Sequence, residues 1–515
     1  MMREWLVKNS KAIIFYIMLF LLIFAIGLTP TDYDYDLWAR FIAGMGFLQT
    51  GHALKHDFLS YTPTHLWYDH EWGSGVIFYF IQHYISPFGL VIFQDILIFI
   101  MFFVIIQIIK LRGVKTTTPY NFLFYFFATF GFLQIFLQFI RCQLFSFFFF
   151  TIFLYILELA RKGKNKPLLA LPIIMLIWNN LHGGCVAGLG LIFIYIIGEI
   201  INRKPFKKYI LVFLLSFVVL PINPWGIDYL IFLIRATTMS RPSIAEWMGL
   251  LDPTYIYAFL EFKYFAVGMI FAEVGYLIYA IRKKVFVFDA TKFLVVLMTL
   301  YLAFEHIKMI PFAVIAMSAF FYDDFYIIFN FITRGAINKI ALLKDALVYI
   351  AVLVFIVMTI RKADFKPFLS FYKFPILEIE FIKINDLKGN LLTNFEFGSY
   401  ASYKLYPHNK IYMDGRYEEV YDDYIKNIMD VYTSGNDKNN ILLSNFPTDL
   451  ILLSKRYEIY PFLLKDSQWR QVFSDYNYAL FVRTKDLKKE YKIPSEDIAY
   501  YKKTLFDTDI DFRGK

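Results

Sequence analysis

The sequence predicts a polytopic α-helical membrane protein of about eleven spans, with a small extracytoplasmic α/β domain near its C-terminal end. Three observations predict it. Several apolar runs approach the roughly 20 residues that cross a bilayer, in a chain that is 58% hydrophobic and 18% charged. Lys and Arg gather in every other junction between those runs. From about residue 375 the long runs stop, and strand-like and helix-like stretches alternate. Continuous rather than alternating apolar runs exclude an outer-membrane barrel.

The first run, Ala12 to Leu28, follows Arg3, Lys8 and Lys11. It is long for a signal peptide, Ala25-Ile26-Gly27 is a poor cleavage site, and further runs follow, so it reads as an uncleaved first helix. The expected spans are 12–29, 89–109, 119–138, 144–160, 167–179, 186–201, 209–222, 264–281, 291–304, 309–328 and 345–360. With a cytoplasmic N-terminus, the inner junctions hold 21 basic residues and the outer ones 7. That bias places the C-terminal part outside a plasma or inner membrane.

The membrane domain covers 1–360, and 30–88 forms its first extracytoplasmic loop. Within that loop Val76, Ile77, Phe80, Ile81, Tyr84 and Ile85 recur at helical spacing in a piece too short to span, which suits a helix lying in the interface. In the α/β domain, 375–485, strands are expected at Asn390–Asn394, Lys410–Met413, Asp449–Ser454 and Tyr478–Arg483. Helices are expected at Glu418–Val431, Asn439–Leu443 and Ile459–Leu464. Residues 486–515 read as a charged, loosely held tail.

The net charge of +9 does not indicate nucleic-acid binding, because residues 361–515 hold 24 basic and 23 acidic residues. The excess lies among the spans, where orientation explains it. Cys142 and Cys185 are too few for a disulfide framework and lack metal-ligand spacing. Gly184-x-x-x-Gly188 reads as helix packing. No Walker string or GxGxxG is present, which argues against a nucleotide-sugar donor.

The outer junctions carry a different mixture. The first has Asp32, Asp34 and Asp36, then His70 and Glu71; the others have Arg141, Asn180 with His182, Glu246, and His306 with Lys308. Ionisable groups at a membrane boundary are costly unless solvated or paired, and such a set suggests a site. Carboxylates can remove a proton, and the cations can hold an anionic group. Asp34 and Asp36, two apart, read as a base, or as a base with a partner holding a divalent metal ion.

The chain resembles the GT-C superfamily of membrane glycosyltransferases. The likeness rests on a first span followed at once by Asp residues, a long first outer loop with an interfacial helix, many spans and an outer C-terminal domain. Within it, the chain looks like a bacterial branch through DYDLWARFIAGMGFLQTG (Asp34–Gly51), HDFLSYT (His56–Thr62), HEW (His70–Trp72), RCQLFSF (Arg141–Phe147), WNNLHGG (Trp178–Gly184), NPWG (Asn223–Gly226), EW (Glu246–Trp247), IPF (Ile310–Phe312) and MDGRYEEVY (Met413–Tyr421). The resemblance implies an outer-loop Asp as base or metal ligand, here Asp34 or Asp36, and a polyprenyl-phosphate sugar donor. Two departures keep acceptor and sugar open: the WWDYG string of oligosaccharyltransferases is absent, and His70-Glu71-Trp72-Gly73 stands where other branches carry His-Pro-Pro.

The expected function is inverting transfer of a sugar from a polyprenyl-phosphate donor to a glycan, lipid or protein acceptor at the outer face. Asp36 or Asp34 would be the base, with His70, Glu71 or His182 holding or replacing it. Arg141, Asn180, His182, Glu246, His306 and Lys308 would bind substrate. A lipid transporter or flippase would instead place polar residues at mid-span, and a non-catalytic subunit of an envelope assembly would use the loops as docking surface.

Overall fold

The computed structural model describes residues 2–28, 33–113, 124–125, 128–129, 131–132, 140–239, 241, 244–332, 341–361, 369–437 and 440–513. The chain forms two compact units, one of residues 1–31 with 87–366 and the other of 32–86 with 367–515.

The first unit is helical. Five described helices are long and apolar enough to cross a membrane: Ser10–Gly27, Pro87–Lys110, Gln143–Arg161, Gly183–Ile201 and Leu260–Lys283. The pair Ile307–Phe320 and Tyr322–Phe329, bent by 55°, makes a sixth if it is one span. Helices also stand at the expected spans 167–179, 209–222, 291–304 and 345–360, as Lys166–Leu181, Lys207–Val218, Ala290–Glu305 and Ala341–Ile360. The first three of these are short for a crossing, and Pro172 interrupts the backbone bonding of the first. Most of the expected span 119–138 lies outside the described residues. Five or six helices among the described residues are thus long and apolar enough to cross, against the eleven spans expected.

Packing follows residue size. Gly188 lies against Trp178, and a methyl group there would sit 2.7 Å from the indole, so only glycine lets the two helices approach. The helix Ala290–Glu305 starts on Asp289, whose carboxylate accepts the backbone N–H groups of Thr291 and Lys292 at 3.1 and 3.2 Å.

The second unit is built on a five-stranded sheet: β1 (Gly389–Leu392), β2 (Asn409–Ile411), β3 (Leu450–Ser454), β4 (Trp469–Ser474) and β5 (Tyr478–Arg483), in the order β2-β1-β3-β5-β4. β1 runs parallel to β2 and β3, while β3–β5 and β4–β5 are antiparallel. Leu392, Met413, Ile451, Leu453, Ala479 and Phe481 form its apolar core.

The loop after the first span belongs to this unit. Its helix Leu37–Thr50 inserts Trp38, fully buried, between Tyr400 and Tyr403 at 4.9 and 5.1 Å. An extended stretch then runs beside β2, with Ile411 N donating to Leu59 O at 2.9 Å and Tyr61 N to Ile411 O at 3.0 Å. That pairing covers an edge that would otherwise be open. The expected interfacial segment is the helix Trp72–Phe80 continued by one π-helical turn, Ile81–Ile85, with Phe80, Tyr84 and Ile85 exposed.

The C-terminal stretch is held down. Its helix Ile498–Thr504 and the segment beyond bury Tyr501, Leu505, Ile510 and Phe512, and Lys404 donates to the carbonyls of Thr504 and Asp507 at 2.8 and 2.9 Å. The sequence reading of 486–515 as loosely held gives way to these anchors.

Candidate functional site

The sheet-bearing unit positions the first-loop carboxylates. Asp36 stands exposed at the start of the helix Leu37–Thr50, and its N–H donates to Asp34 Oδ1 at 3.0 Å. Asp34 is buried. The Asp36 carboxylate faces Gly415, where a Cβ would collide with Oδ1. Gly415 belongs to the turn Asp414-Gly415-Arg416 just beyond β2, so a residue 379 positions earlier is set against the turn that the sequence reading singled out. Buried Arg416 holds that turn: its Nε donates to Asp414 at 3.0 Å, it pairs with Asp57 at 2.7 Å, and it lies over the Trp67 ring at 4.6 Å.

His70 and Glu71 fall into a buried ion cluster centred on Arg40. Arg40 donates to both oxygens of Glu419 at 3.1 and 3.0 Å, pairs with Asp69, and lies 3.4 Å from Glu71. Trp67 Nε1 also donates to Glu419, at 2.6 Å. His70 Nδ1 lies 3.0 Å from Glu419 and its Nε2 3.8 Å from Glu71. Burial works against a charge on His70, but Glu419 and Glu71 outweigh it and push its pKa up to about 9. Burial raises the Asp69 carboxyl in spite of Arg40, whereas Arg40 and His70 hold Glu419 low in spite of burial. His70 is thus a cation at neutral pH, a proton donor rather than a base.

Two donor sets invite a metal ion. His70, Glu71 and Glu419 bring ligand atoms within 4.8 Å of one another. Arg40 pairs with the same two carboxylates, so a divalent ion there would compete with its guanidinium. Asp34 and Asp36, the pair expected to hold a metal ion, are joined through the Asp36 N–H on Asp34 Oδ1, with Asp34 buried and Asp36 exposed.

The helical unit gathers another group. Glu246 pairs with Arg141 and lies 3.7 Å from Lys308. Trp247 is flanked by Arg241 and Lys308, at 4.3 and 3.3 Å from its ring. His306 Nδ1 donates to the Trp247 carbonyl at 2.7 Å. The group thus sets Arg141, Arg241 and Lys308 about Glu246 and Trp247. His182 forms a separate set in this unit. Gly184 N donates to its Nδ1 at 2.9 Å, Ser146 Oγ lies 2.6 Å from the same atom, and Trp178 Nε1 donates to Ser146 at 2.9 Å. Nδ1 is therefore the acceptor, and neutral His182 carries its proton on Nε2. Asn180 Nδ2 donates to the Leu176 and Ile222 carbonyls, each at 2.9 Å, and so ties the end of its helix to the loop after Lys207–Val218.

Arg141, Glu246, His306 and Lys308 thus come together, as do Asp34 with Asp36 and His70 with Glu71. Sequence reasoning gave no role to Arg40, Asp69, Glu419, Arg241 or Ser146. A signal for Arg40 was present: it is the one charge in an otherwise apolar and small-residue stretch from Leu37 to Leu48.

These features define a membrane protein with a GT-C-like fold. The chain is similar to the archaeal oligosaccharyltransferase AglB from Archaeoglobus fulgidus, solved in complex with an inhibitory peptide and a dolichol-phosphate. The match has a TM-score of 0.60 and 12% identity over 97% of this chain and 77% of that one. No protein-family model matches the chain, and neither does any curated protein.

Proposed function

We propose that the protein is a membrane glycosyltransferase that moves a sugar from a polyprenyl-phosphate donor to an acceptor hydroxyl at the outer face. The observation that carries this reading is the exposed Asp36 carboxylate, set on a GT-C-like fold against the Asp414-Gly415-Arg416 turn. In one displacement the acceptor oxygen bonds to the anomeric carbon as the bond to the phosphate oxygen breaks. The bonding pair leaves with the phosphate, and the acceptor proton passes to Asp36. Attack opposite the leaving group inverts the anomeric centre.

The departing phosphate needs cations. Arg141, Lys308 and Arg241 supply them in the helical unit, with Glu246 and Trp247 fixing their side chains. The neighbouring AglB structure holds a dolichol-phosphate and a peptide, which supports a lipid-phosphate donor and leaves glycan, lipid and protein acceptors open.

Purified protein in nanodiscs, offered a panel of polyprenyl-phosphate sugars, is expected to release polyprenyl phosphate from at least one. Folded protein that binds none of them would sink the reading.

A further inference from the structure

Gly415 has no backbone reason to be glycine, since its φ does not lie in the left-handed region. Its missing side chain admits the Asp36 carboxylate instead. A Cβ there would collide with Asp36 Oδ1, while the next atoms, Asp36 Cγ at 3.6 Å and Ser399 Oγ at 4.0 Å, would be ordinary contacts. The gap is therefore fitted to one carboxylate oxygen.

The Ser399 hydroxyl at that gap is unaccounted for by the fold. Ser399 is fully buried, and its Oγ has no hydrogen-bond partner among the described residues. Such an orphan is costly and calls for a reason. Ser399 is the second residue of the helix Gly398–Leu405. That helix starts on the same turn, because a Cβ on Gly398 would collide with the Met413 carbonyl and stand 2.8 Å from Asp414 Cβ. The first N–H groups of a helix have no acceptor within it, and they carry its positive end. A Ser, Thr, Asp or Asn at the N-cap commonly takes them. Here the N-cap is Phe397, which makes no side-chain cap bond. Asp414 is occupied, since Arg416 Nε donates to both its oxygens at 3.0 Å. A buried unpaired hydroxyl, a helix start without a capping side chain and an exposed carboxylate thus meet at Gly415.

We propose that the start of this helix, with the Ser399 hydroxyl, is an anion cradle that holds the Asp36 carboxylate through the gap at Gly415. Ser399 donates to one carboxylate oxygen, and the other faces outward, where a proton can be received. Ser399 and Gly415 are then positioning residues for the proposed base. The cradle itself stands on the geometry, while its use in proton transfer rests on the glycosyltransferase reading.

The test uses the full chain and puts a thiol in place of the carboxylate, so that it needs no sugar donor. Cys142 and Cys185 are buried. Asp36→Cys is alkylated with iodoacetamide across a pH series, beside Ser467→Cys on an exposed turn of the same unit. A helix start and a hydroxyl donor favour the thiolate, so Asp36→Cys should react about fivefold faster than Ser467→Cys at neutral pH. Adding Ser399→Ala should slow it about threefold and move its profile to higher pH. Ser399→Ala removes a hydroxyl with no partner in the fold, so melting should match wild type. In single turnover, Ser399→Ala and Gly415→Ala should each slow release about tenfold with donor binding unchanged, and should add nothing to Asp36→Asn. Equal alkylation of Asp36→Cys and Ser467→Cys, indifferent to Ser399→Ala, would overturn the proposal. A reactive Asp36→Cys thiol that Ser399→Ala slows, beside undiminished release by Asp36→Asn, would establish the cradle and remove the glycosyltransferase reading instead.

Discussion

At neutral pH His70 carries its proton because two carboxylates face it, and that charge is linked to stability. Its folded pKa, about 9, lies above the ordinary 6.5. A raised pKa means the stabilisation is fully present below pH 6.5 and fades as pH climbs towards 9. The loss is up to about 3 kcal/mol. Thermal unfolding of the wild type should therefore fall across that window, and His70→Gln should flatten the fall. An unchanged slope in the variant would show that His70 is not charged in the folded protein. At this scale the sequence disclosed the carboxylates and histidines, since they break the apolar pattern at span ends. It hid their partners. Arg40 meets Glu419, 379 positions away, and nothing local marks either as the other's counter-ion.

Among the elements, hydropathy located the long helices and alternation located four of the five strands. β4 was missed because Trp469–Ser474 shows only a single fully buried residue along its length. The helix Leu37–Thr50 escaped notice because ten consecutive residues, Leu37–Gly46, are buried, leaving no polar face to reveal a helical period. The C-terminal segment misled by composition, since its charges surround the few apolar residues that anchor it. Trp38 is the main apolar tie between the first loop and the helix Gly398–Leu405. Trp38→Ala should cost about 3–5 kcal/mol, read as a lower melting temperature with the helical content of the native protein retained. Melting unchanged from wild type would place that tie elsewhere.

For the whole molecule, chain continuity groups residues 30–88 with the spans, while packing groups 32–86 with 367–515. Pairing of Leu59 and Tyr61 with Ile411 decides this, and such long-range pairing leaves no trace in local sequence. The expected topology is testable with single cysteines, because Cys142 and Cys185 are both buried. In intact cells an impermeant maleimide should label Ser434→Cys, in the second unit, and should reach Lys164→Cys only after permeabilisation. The reverse pattern would invert the orientation and with it the face on which the reaction is proposed to occur.

In the proposed transfer Asp36 takes the acceptor proton. The most direct measurement is single-turnover release of polyprenyl phosphate by Asp36→Asn beside wild type, with donor binding followed in the same samples. Asn keeps the size and the exposed position of Asp36 but cannot accept the proton, so the donor should bind as in wild type while release falls by about 10²-fold or more. Release at near wild-type rate would contradict the claim.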